Sequence, residues 1–244
     1  MEWRDEGILL SVRPHGETAA IIEVLTRSHG RHLGLVHGGR SRRLRPVLQI
    51  GNHISVAWRA RVSENLGVFS VELFRPFASE VLHNAEALAA VTSVAALASV
   101  LPERDAHPEL FEITQFVFGY LSDDDLWPPL YVRWELALLD ELGAGLDLTH
   151  CAATGSSDNL TFVSPRSGQA VSTDAGAPYA EKLFALPAFL VGASAEAASP
   201  TRNDVVNGLE MTGHFLSRRV FAPDDKELPE PRARLLRLLR KGVR

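Results

Sequence analysis

Residues His53–Val62, with the sequence HISVAWRARV, carry the pattern that decides how the first part of the chain folds. Apolar side chains recur at every second position, at Ile54, Val56 and Trp58. Successive side chains of a β-strand point to opposite faces, so a period of two predicts a strand with one buried face. The neighbouring segments of the sequence indicate what kind of sheet this strand belongs to.

Four similar runs surround this strand, and turns rich in glycine, proline and asparagine separate them. The upstream runs are Gly7–Val12, Ala19–Leu25 and Arg31–His37, and the downstream run is Leu66–Leu73. Five short strands within one small segment are typical of a closed or nearly closed barrel. The predicted fold of residues 1–77 is therefore a five-stranded OB-fold barrel.

The spacing of apolar residues becomes helical after Pro76. Ser79 is predicted to cap a helix that has Leu82 and Ala98 on its apolar face and ends before Pro102. Three further helices are predicted at Pro108–Leu121, Pro129–Leu142 and Asp204–Val220. Because the apolar faces of these helices need one another for burial, we expect them to share a core.

The predicted fold class is α+β, with the barrel at residues 1–77 and a mainly α-helical domain at residues 78–244. Within the second domain, an irregular insert at about residues 150–171 contains Leu160–Val163 and Gln169–Val171. These two short runs flank a turn rich in serine, proline and glycine, and they predict a small hairpin.

Charge is distributed unevenly over the chain, which has a net charge of −5. Residues 1–77 contain 11 arginines and seven acidic residues, and residues 78–231 contain eight basic and 23 acidic residues. Residues 232–244 contain six basic residues and no acidic residue. This basic tail is amphipathic, so its leucines are expected to dock on the helical domain, while its basic face suits DNA, a membrane surface or an acidic partner.

Several classes of protein are disfavoured by composition. No apolar stretch has the length of a membrane span, and the acidic start MEWRDE lacks the features of a signal peptide, so we expect a cytoplasmic protein. The single cysteine, Cys151, excludes an internal disulfide and a zinc site built from several thiolates.

The sequence also lacks the local motifs of common enzymes. It contains no phosphate-binding loop, no G-x-S-x-G elbow and no H-E-x-x-H motif. Asp123–Asp125 is interpreted as a solvated, helix-capping loop rather than a cation site, and the nine histidines lack metal-ligand spacing. We therefore expect no catalytic residues, no cofactor and no metal.

The stretch Gly38-Gly39-Arg40-Ser41-Arg42-Arg43-Leu44-Arg45 is the most informative for function. Its four arginines follow a glycine pair that frees the backbone, so the guanidinium groups can spread along a row of phosphates. Arginines from neighbouring strands and turns are expected to extend this surface. The predicted DNA-binding residues are Arg13, Arg31, Arg40, Arg42, Arg43, Arg45, Arg59 and Arg61.

Two aromatic residues of the predicted barrel allow two interpretations. Trp58 and Phe69 fit a single-strand site in which bases stack on aromatic faces beside a basic groove. The same residues are equally suited to fill the barrel, and for Phe69 the core is the favoured interpretation.

Four motifs in the first part of the chain resemble a known family. In order and spacing, DEGILL from Asp5, GET from Gly16, TRSHG from Thr26 and GGR from Gly38 resemble the N-terminal barrel of RecO, the bacterial recombination mediator and DNA repair family. The second part agrees with this resemblance. Its matching segments are Leu138–Gly143, Leu146–Leu148, Cys151–Gly155 and Val163–Gly168.

One departure from the family pattern concerns zinc. Many family members carry a four-cysteine zinc knuckle in this second region, whereas this chain retains Cys151 and has Thr154 where the next cysteine is expected. The hairpin is therefore predicted to lack zinc and to be held by packing alone.

The resemblance implies a non-enzymatic protein that binds single- and double-stranded DNA, anneals complementary strands and helps load a recombinase. It implies RecR, RecA and the acidic C-terminal tail of single-stranded DNA-binding protein as partners. An acidic tail needs local positive charge on the helical domain. Arg133, Arg218 and Arg219 are therefore the candidates for that contact, together with the basic tail.

Other functions stay open on the sequence alone. An RNA-binding OB protein would be distinguished from a DNA-binding one by whether DNA strands compete equally with RNA strands. A protein-interaction adaptor, with the acidic helical domain as its main surface, would show absent or salt-insensitive DNA binding. An enzyme would need a pocket of perturbed carboxylates near Asp123.

Overall fold

A computed structural model of the chain describes residues 1–62, 64–191 and 199–242. The chain forms two compact units, Met1–Asp123 and Asp124–Arg244. The first unit thus contains the barrel and also the helices that directly follow it. The predicted domain boundary at residue 77 coincides with the change from strands to helices, and it stays a prediction about which part folds independently.

Five strands form a closed barrel in the first unit: β1 (Glu2–His15), β2 (Ala19–Thr26), β3 (Gly30–Val36), β4 (His53–Arg59) and β5 (Val68–Arg75). Their order around the barrel is β1-β2-β3-β5-β4. β3 pairs with β5 in parallel, and the other neighbours pair antiparallel. The predicted five-stranded barrel and the α+β class are confirmed, and the arrangement is that of an OB-fold.

Strand β1 is longer than predicted because it pairs with two strands. Residues Glu2–Ile8 pair with β4, and residues Gly7–His15 pair with β2. The register shifts between Leu9 and Ser11, as at a β-bulge, which bends a strand. One bent strand thereby reaches both neighbours and closes the barrel.

The barrel core contains the alternating residues of β4. Ile54, Val56 and Trp58 are each at most 2% exposed, as the period of two predicted. They pack in one cluster with residues from every other strand and from the β3–β4 connection, including Leu9, Ile22, Val24, Val36, Leu44, Leu48 and Phe69.

Three helices complete the first unit: α1 (Phe77–Glu80), α2 (Ala85–Ala98) and α3 (Pro108–Gly119). The prediction of one helix capped by Ser79 was wrong. Asn84 caps α2 instead, because its side chain accepts hydrogen bonds of 3.1 Å from the backbone N–H groups of Glu86 and Ala87. Leu82, predicted on the apolar face, lies in the break and is 67% exposed.

The second unit is mainly helical, with α4 (Trp127–Glu141), α5 (Thr173–Gly176), α6 (Arg202–Phe215) and α7 (Glu230–Lys241). A π-helical turn, Leu216–Phe221, continues α6, and short 3-10 turns occupy Ala177–Lys182, Ala188–Leu190 and Ala222–Asp224. The basic tail thus forms α7, which buries Leu235 and Leu239 and packs on α6, as its amphipathic pattern predicted. Residues 243 and 244 of that tail lie outside the described residues.

The predicted hairpin is present as β6 (Leu160–Val163) and β7 (Ala170–Ser172). A third strand, β8 (Phe184–Ala185), pairs with the other side of β6. Over the described ranges, no helix has the length and apolar character needed to cross a membrane.

Candidate nucleic-acid interface

The arginine-rich segment between β3 and β4 folds as helical turns rather than as an open loop. The backbone N–H of Arg45 donates to the Ser41 carbonyl at 3.1 Å, and that of Leu48 donates to the Leu44 carbonyl at 2.9 Å. Leu44 and Leu48 lie one turn apart, and both are buried in the barrel core. These two leucines fix the segment to the barrel, so its arginines are displayed on an ordered support.

The glycine pair before this segment allows the backbone to pack closely against β2. Gly38 has a φ of +65°, a left-handed conformation that favours glycine. Gly39 packs against β2 so closely that an added Cβ would lie 2.7 Å from the Cβ of Ala20. The pair was predicted to give the backbone freedom, but in the structure it lets the arginine-rich segment pack tightly against the barrel.

Arg40 connects the segment to the β1–β2 loop. Its Nη1 donates to the carbonyls of Gly16 and Glu17 at 3.0 and 2.9 Å. Arg13, near the end of β1, is exposed beside the same loop. Both residues therefore lie at the end of the barrel where the β1–β2 loop and the end of β3 meet.

Three arginines from different parts of the sequence border one groove of about 720 Å³. Arg43 comes from the helical turns, Arg59 from the end of β4 and Arg4 from the start of β1. Small residues of β4 and β5, including Ser55, Ala57 and Ser70, line the groove as well. In the described part of the chain, no carboxylate lies within ion-pair distance of the guanidinium groups of Arg42, Arg43 or Arg45.

The groove continues toward the β4–β5 connection. Arg59 and Arg61 line an adjoining concavity of about 680 Å³, and Arg59 and Glu2 are common to both spaces. Arg59 pairs with Glu2 at 3.3 Å, but its side chain is 74% exposed, so the pair is weak and water-screened. We define the arginine surface as the exposed arginines of the groove, the adjoining concavity, the arginine-rich segment and the end of β1: Arg4, Arg13, Arg40, Arg42, Arg43, Arg45, Arg59 and Arg61.

Arg31 is the predicted site residue that the structure separates from the others. Its side chain is 14% exposed, and its guanidinium pairs with the buried Glu23. Its Nε donates to the Leu101 carbonyl at 2.7 Å. Arg31 therefore ties β2 and β3 to the segment after α2, and its guanidinium is engaged within the protein.

Arg4 belongs to the arginine surface but was not among the predicted DNA-binding residues. It lies opposite Ala57 in the β1–β4 ladder, two residues after the Glu2–Arg59 pair. The predicted first strand began at Gly7, so Arg4 was not assigned to any strand. The signal for a strand was weak here, because Trp3 is the one apolar residue among residues 2–6.

The two aromatic residues considered for base stacking both fill the barrel. Trp58 and Phe69 are each 2% exposed. The indole Nε1 of Trp58 donates to the Leu66 carbonyl at 3.1 Å, and the ring of Phe69 packs against Gly34. The core interpretation of Phe69 is confirmed, and for Trp58 the same burial decides between the two interpretations.

Comparison with protein families follows the same two parts of the chain. Residues 1–77 match the model of the Recombination protein O N-terminal domain, and residues 82–229 match that of the Recombination protein O C-terminal domain. The chain belongs to the RecO family. It therefore belongs to a family of DNA repair and recombination proteins.

Curated relatives match over nearly the full chain. The DNA repair protein RecO of Rhodospirillum centenum is 52% identical over 245 residues, which cover 99% of this chain and 96% of the relative. Those of Mesorhizobium japonicum and Brucella abortus are 50% and 44% identical, and the matches cover 99% and 100% of this chain and 94% and 98% of the relatives.

The three arginines considered for partner binding in this RecO family member have different environments. Arg219 donates to the carbonyls of Ala144, Gly145 and Ser167 at 3.0, 2.9 and 2.6 Å. Arg133 is exposed and donates to the Phe189 carbonyl. Arg218 is exposed, and no hydrogen bond or ion pair of its guanidinium is found within the described ranges.

The region of the family's zinc knuckle has no ligand set for zinc here. Cys151 is buried, and its Sγ accepts a hydrogen bond of 3.2 Å from the backbone N–H of Ser172. Across the residues that the structure describes, no group of three His, Cys, Asp or Glu side chains could hold a metal ion. Packing is also not the only restraint on the hairpin, because Arg219 binds the Ser167 carbonyl in the turn between β6 and β7.

Proposed function

We propose that this RecO family member is a non-enzymatic DNA-binding protein that binds single- and double-stranded DNA through the arginine surface. The observation that carries the proposal is the groove bordered by Arg4, Arg43 and Arg59, which adjoins the concavity of Arg61. A guanidinium presents several N–H donors in a planar fork that matches phosphate oxygens. In OB-folds, the strand 2–3 face and the loops after strands 1 and 4 are the usual oligonucleotide site, and Arg40 and Arg61 belong to such loops or contact them.

The same surface accounts for annealing of complementary strands. Two strands repel through their phosphates, and bound arginines neutralise part of that charge and release counterions. Strands that are partly neutralised meet more often, so association is accelerated without any covalent step. We propose that this property underlies a role in loading a recombinase during homologous recombination.

Protein partners are proposed by family: RecR, RecA and the acidic tail of single-stranded DNA-binding protein. On the helical unit, Arg218 and Arg133 are the exposed members of the candidate set. Arg219 is a weaker candidate, because three backbone carbonyls already occupy its donors. We therefore propose Arg133 and Arg218 as the residues that contact the acidic tail.

The first test compares two pairs of arginine substitutions in the full chain. Binding of a labelled single strand is titrated at several salt concentrations with wild type, with Arg43→Ala/Arg59→Ala and with Arg27→Ala/Arg75→Ala. The control pair removes the same charge from exposed arginines that do not line the groove; these arginines are paired with Glu112 and Glu80. Strand annealing is measured beside binding.

We expect the groove variant to bind more weakly, with a salt slope smaller by roughly 0.7 per lost phosphate contact. Annealing should fall with binding, and the control pair should behave as wild type. Equal weakening in both variants would show that only net charge matters. Absent binding by wild type would favour a protein-interaction adaptor, and preference for ribo strands would favour an RNA-binding protein.

A further inference from the structure

Among the described residues that line the groove, no Phe, Tyr or Trp side chain is exposed. Phe69 borders the groove and Trp58 borders a smaller concavity of about 320 Å³ beside it, but each ring is 2% exposed. Among the residues the structure describes along these concavities, His37 carries the one exposed ring. This differs from single-strand binders that pair a basic groove with stacking platforms.

Trp58 is held in its buried position by the β4–β5 connection. Its Nε1 donates to the Leu66 carbonyl at 3.1 Å. Gly67, with a φ of +68°, lies against the indole so closely that an added Cβ would be 2.3 Å from Nε1. Turning the indole outward would therefore break this hydrogen bond and displace the connection.

Trp3 does not supply a free face either. The His29 imidazole stacks on its ring with a centroid distance of 4.0 Å and an interplanar angle of 6°. Trp58 stacks at 5.6 Å and 18°, so Trp3 has ring partners within the barrel. The exposed Phe74 lies beside His53, at the opposite end of β4 from Arg59 and roughly 20 Å away along the strand.

We infer that the arginine surface binds a strand by its sugar–phosphate backbone alone and leaves the bases outside the groove, free to pair with a second strand. This inference rests on the proposed function, and it adds how the strand is held. A protein that stacks bases removes them from pairing, whereas a backbone clamp neutralises the phosphates and leaves the pairing edges open. Annealing follows from that geometry.

The inference is tested by competition between strands with and without bases. A labelled oligothymidine is displaced from the full-length protein by unlabelled oligothymidine or by an abasic deoxyribose–phosphate strand of equal length. We expect the affinities of the two competitors to differ by less than about threefold. A single stacked base contributes roughly 5- to 150-fold in affinity, so an abasic competitor that is about fivefold weaker or more would overturn the inference.

Two variants separate the remaining interpretations. Ser70→Trp places an indole on the exposed floor of the groove. We expect this variant to bind oligothymidine more tightly and to anneal strands more slowly. We also expect the abasic strand to become a weaker competitor than oligothymidine. Ser79→Trp adds the same ring away from the groove and should change none of these. Faster annealing in Ser70→Trp would contradict the base-outward arrangement.

The substitution His37→Ala tests whether the His37 imidazole stacks on a base. If the imidazole stacks on a base, this substitution should weaken oligothymidine binding but not abasic binding, which would also contradict the inference. We expect the ratio of the two affinities to stay unchanged. If wild type binds neither strand, the proposed function itself fails, and that result differs from every outcome above.

Discussion

The exposed arginines of the barrel differ from Arg232, a buried arginine of the helical unit, in what their guanidinium groups bind. Arg42 and Arg43 are exposed, and no carboxylate in the described part of the chain pairs with them. Arg232 is 2% exposed and forms two hydrogen bonds of 2.9 Å with the Glu135 carboxylate. A buried charge must be paired, whereas an exposed one is available to a phosphate. Burial therefore separates the arginines that build the fold from those that suit a ligand.

The buried pair shows how completely such an arginine is engaged. Glu135 also accepts a hydrogen bond from the Thr212 hydroxyl, and Arg232 donates to the Leu209 carbonyl. Burial lowers the pKa of Arg232, but the Glu135 carboxylate more than offsets this, and the net shift is upward. The charged pair thus joins α4, α6 and α7 inside the helical unit.

The largest effect expected from this comparison concerns Arg232. Arg232→Ala should lower the free energy of unfolding by about 3–5 kcal/mol, because it leaves the Glu135 carboxylate buried and unpaired. Chemical denaturation monitored by circular dichroism measures the change. Arg234→Ala, on the exposed side of the same helix, is the matched control and should stay within about 0.5 kcal/mol of wild type.

A double substitution distinguishes pairing from packing at this site. Glu135→Leu/Arg232→Met removes both charges and keeps apolar volume, and it should regain most of the lost stability. Equal instability in the single and double variants would show that the charges themselves are not what Arg232→Ala disturbs.

Acid should act on the barrel through a buried neutral histidine. The His32 imidazole lies between the rings of Trp3, Trp58 and Phe69, and burial lowers its pKa to about 4. The unfolded chain takes up a proton near pH 6.5, whereas the folded chain does so only near pH 4. Stability should therefore be full above pH 6.5 and fall by about 3 kcal/mol as the pH drops to 4.

The measurement is the free energy of unfolding against pH for wild type and His32→Phe. The phenylalanine keeps the ring packing and cannot be protonated, so its curve should lose this part of the slope between pH 6.5 and 4. Parallel curves for the two proteins would show that other groups cause the acid sensitivity.

Arg219 is expected to have an intermediate effect, because its guanidinium is only partly buried. Arg219→Ala removes the hydrogen bonds to three carbonyls and should lower stability by about 2 kcal/mol. Hydrogen exchange should show the loss of protection in β6 and β7. Lysine should restore little, because it lacks the planar fork that reaches several carbonyls, and Arg218→Ala should leave the exchange of β6 and β7 unchanged.

The smallest effect on stability is expected for the arginines that we propose to bind DNA. Arg42→Ala/Arg43→Ala should change the free energy of unfolding by less than about 0.5 kcal/mol, because both side chains are exposed. The same variant should weaken single-strand binding and reduce the salt slope by roughly 1.4 for two lost contacts. A clear loss of stability would place these arginines with Arg232, among the residues that build the fold.

Much of the fold was predictable because its signals are local. The alternation of Ile54, Val56 and Trp58 and the proline at the start of α3 act within a few residues. The position of the first helix break was not predictable in this way. Ser79 and Asn84 are both good capping residues, and the neighbouring sequence does not decide which one is used.

Some features of the candidate site could also be read from the sequence, and others could not. The sequence by itself determined the class of fold, the cluster of arginines at residues 40–45 and the absence of a second cysteine beside Cys151. Only the tertiary structure decided that Arg4 joins Arg43 and Arg59 at one groove, that Arg31 is paired with Glu23, and that Trp58 is covered. The physical reason is that exposure and pairing depend on strand register and on contacts between distant residues, whereas residue type and periodicity can be read along the chain.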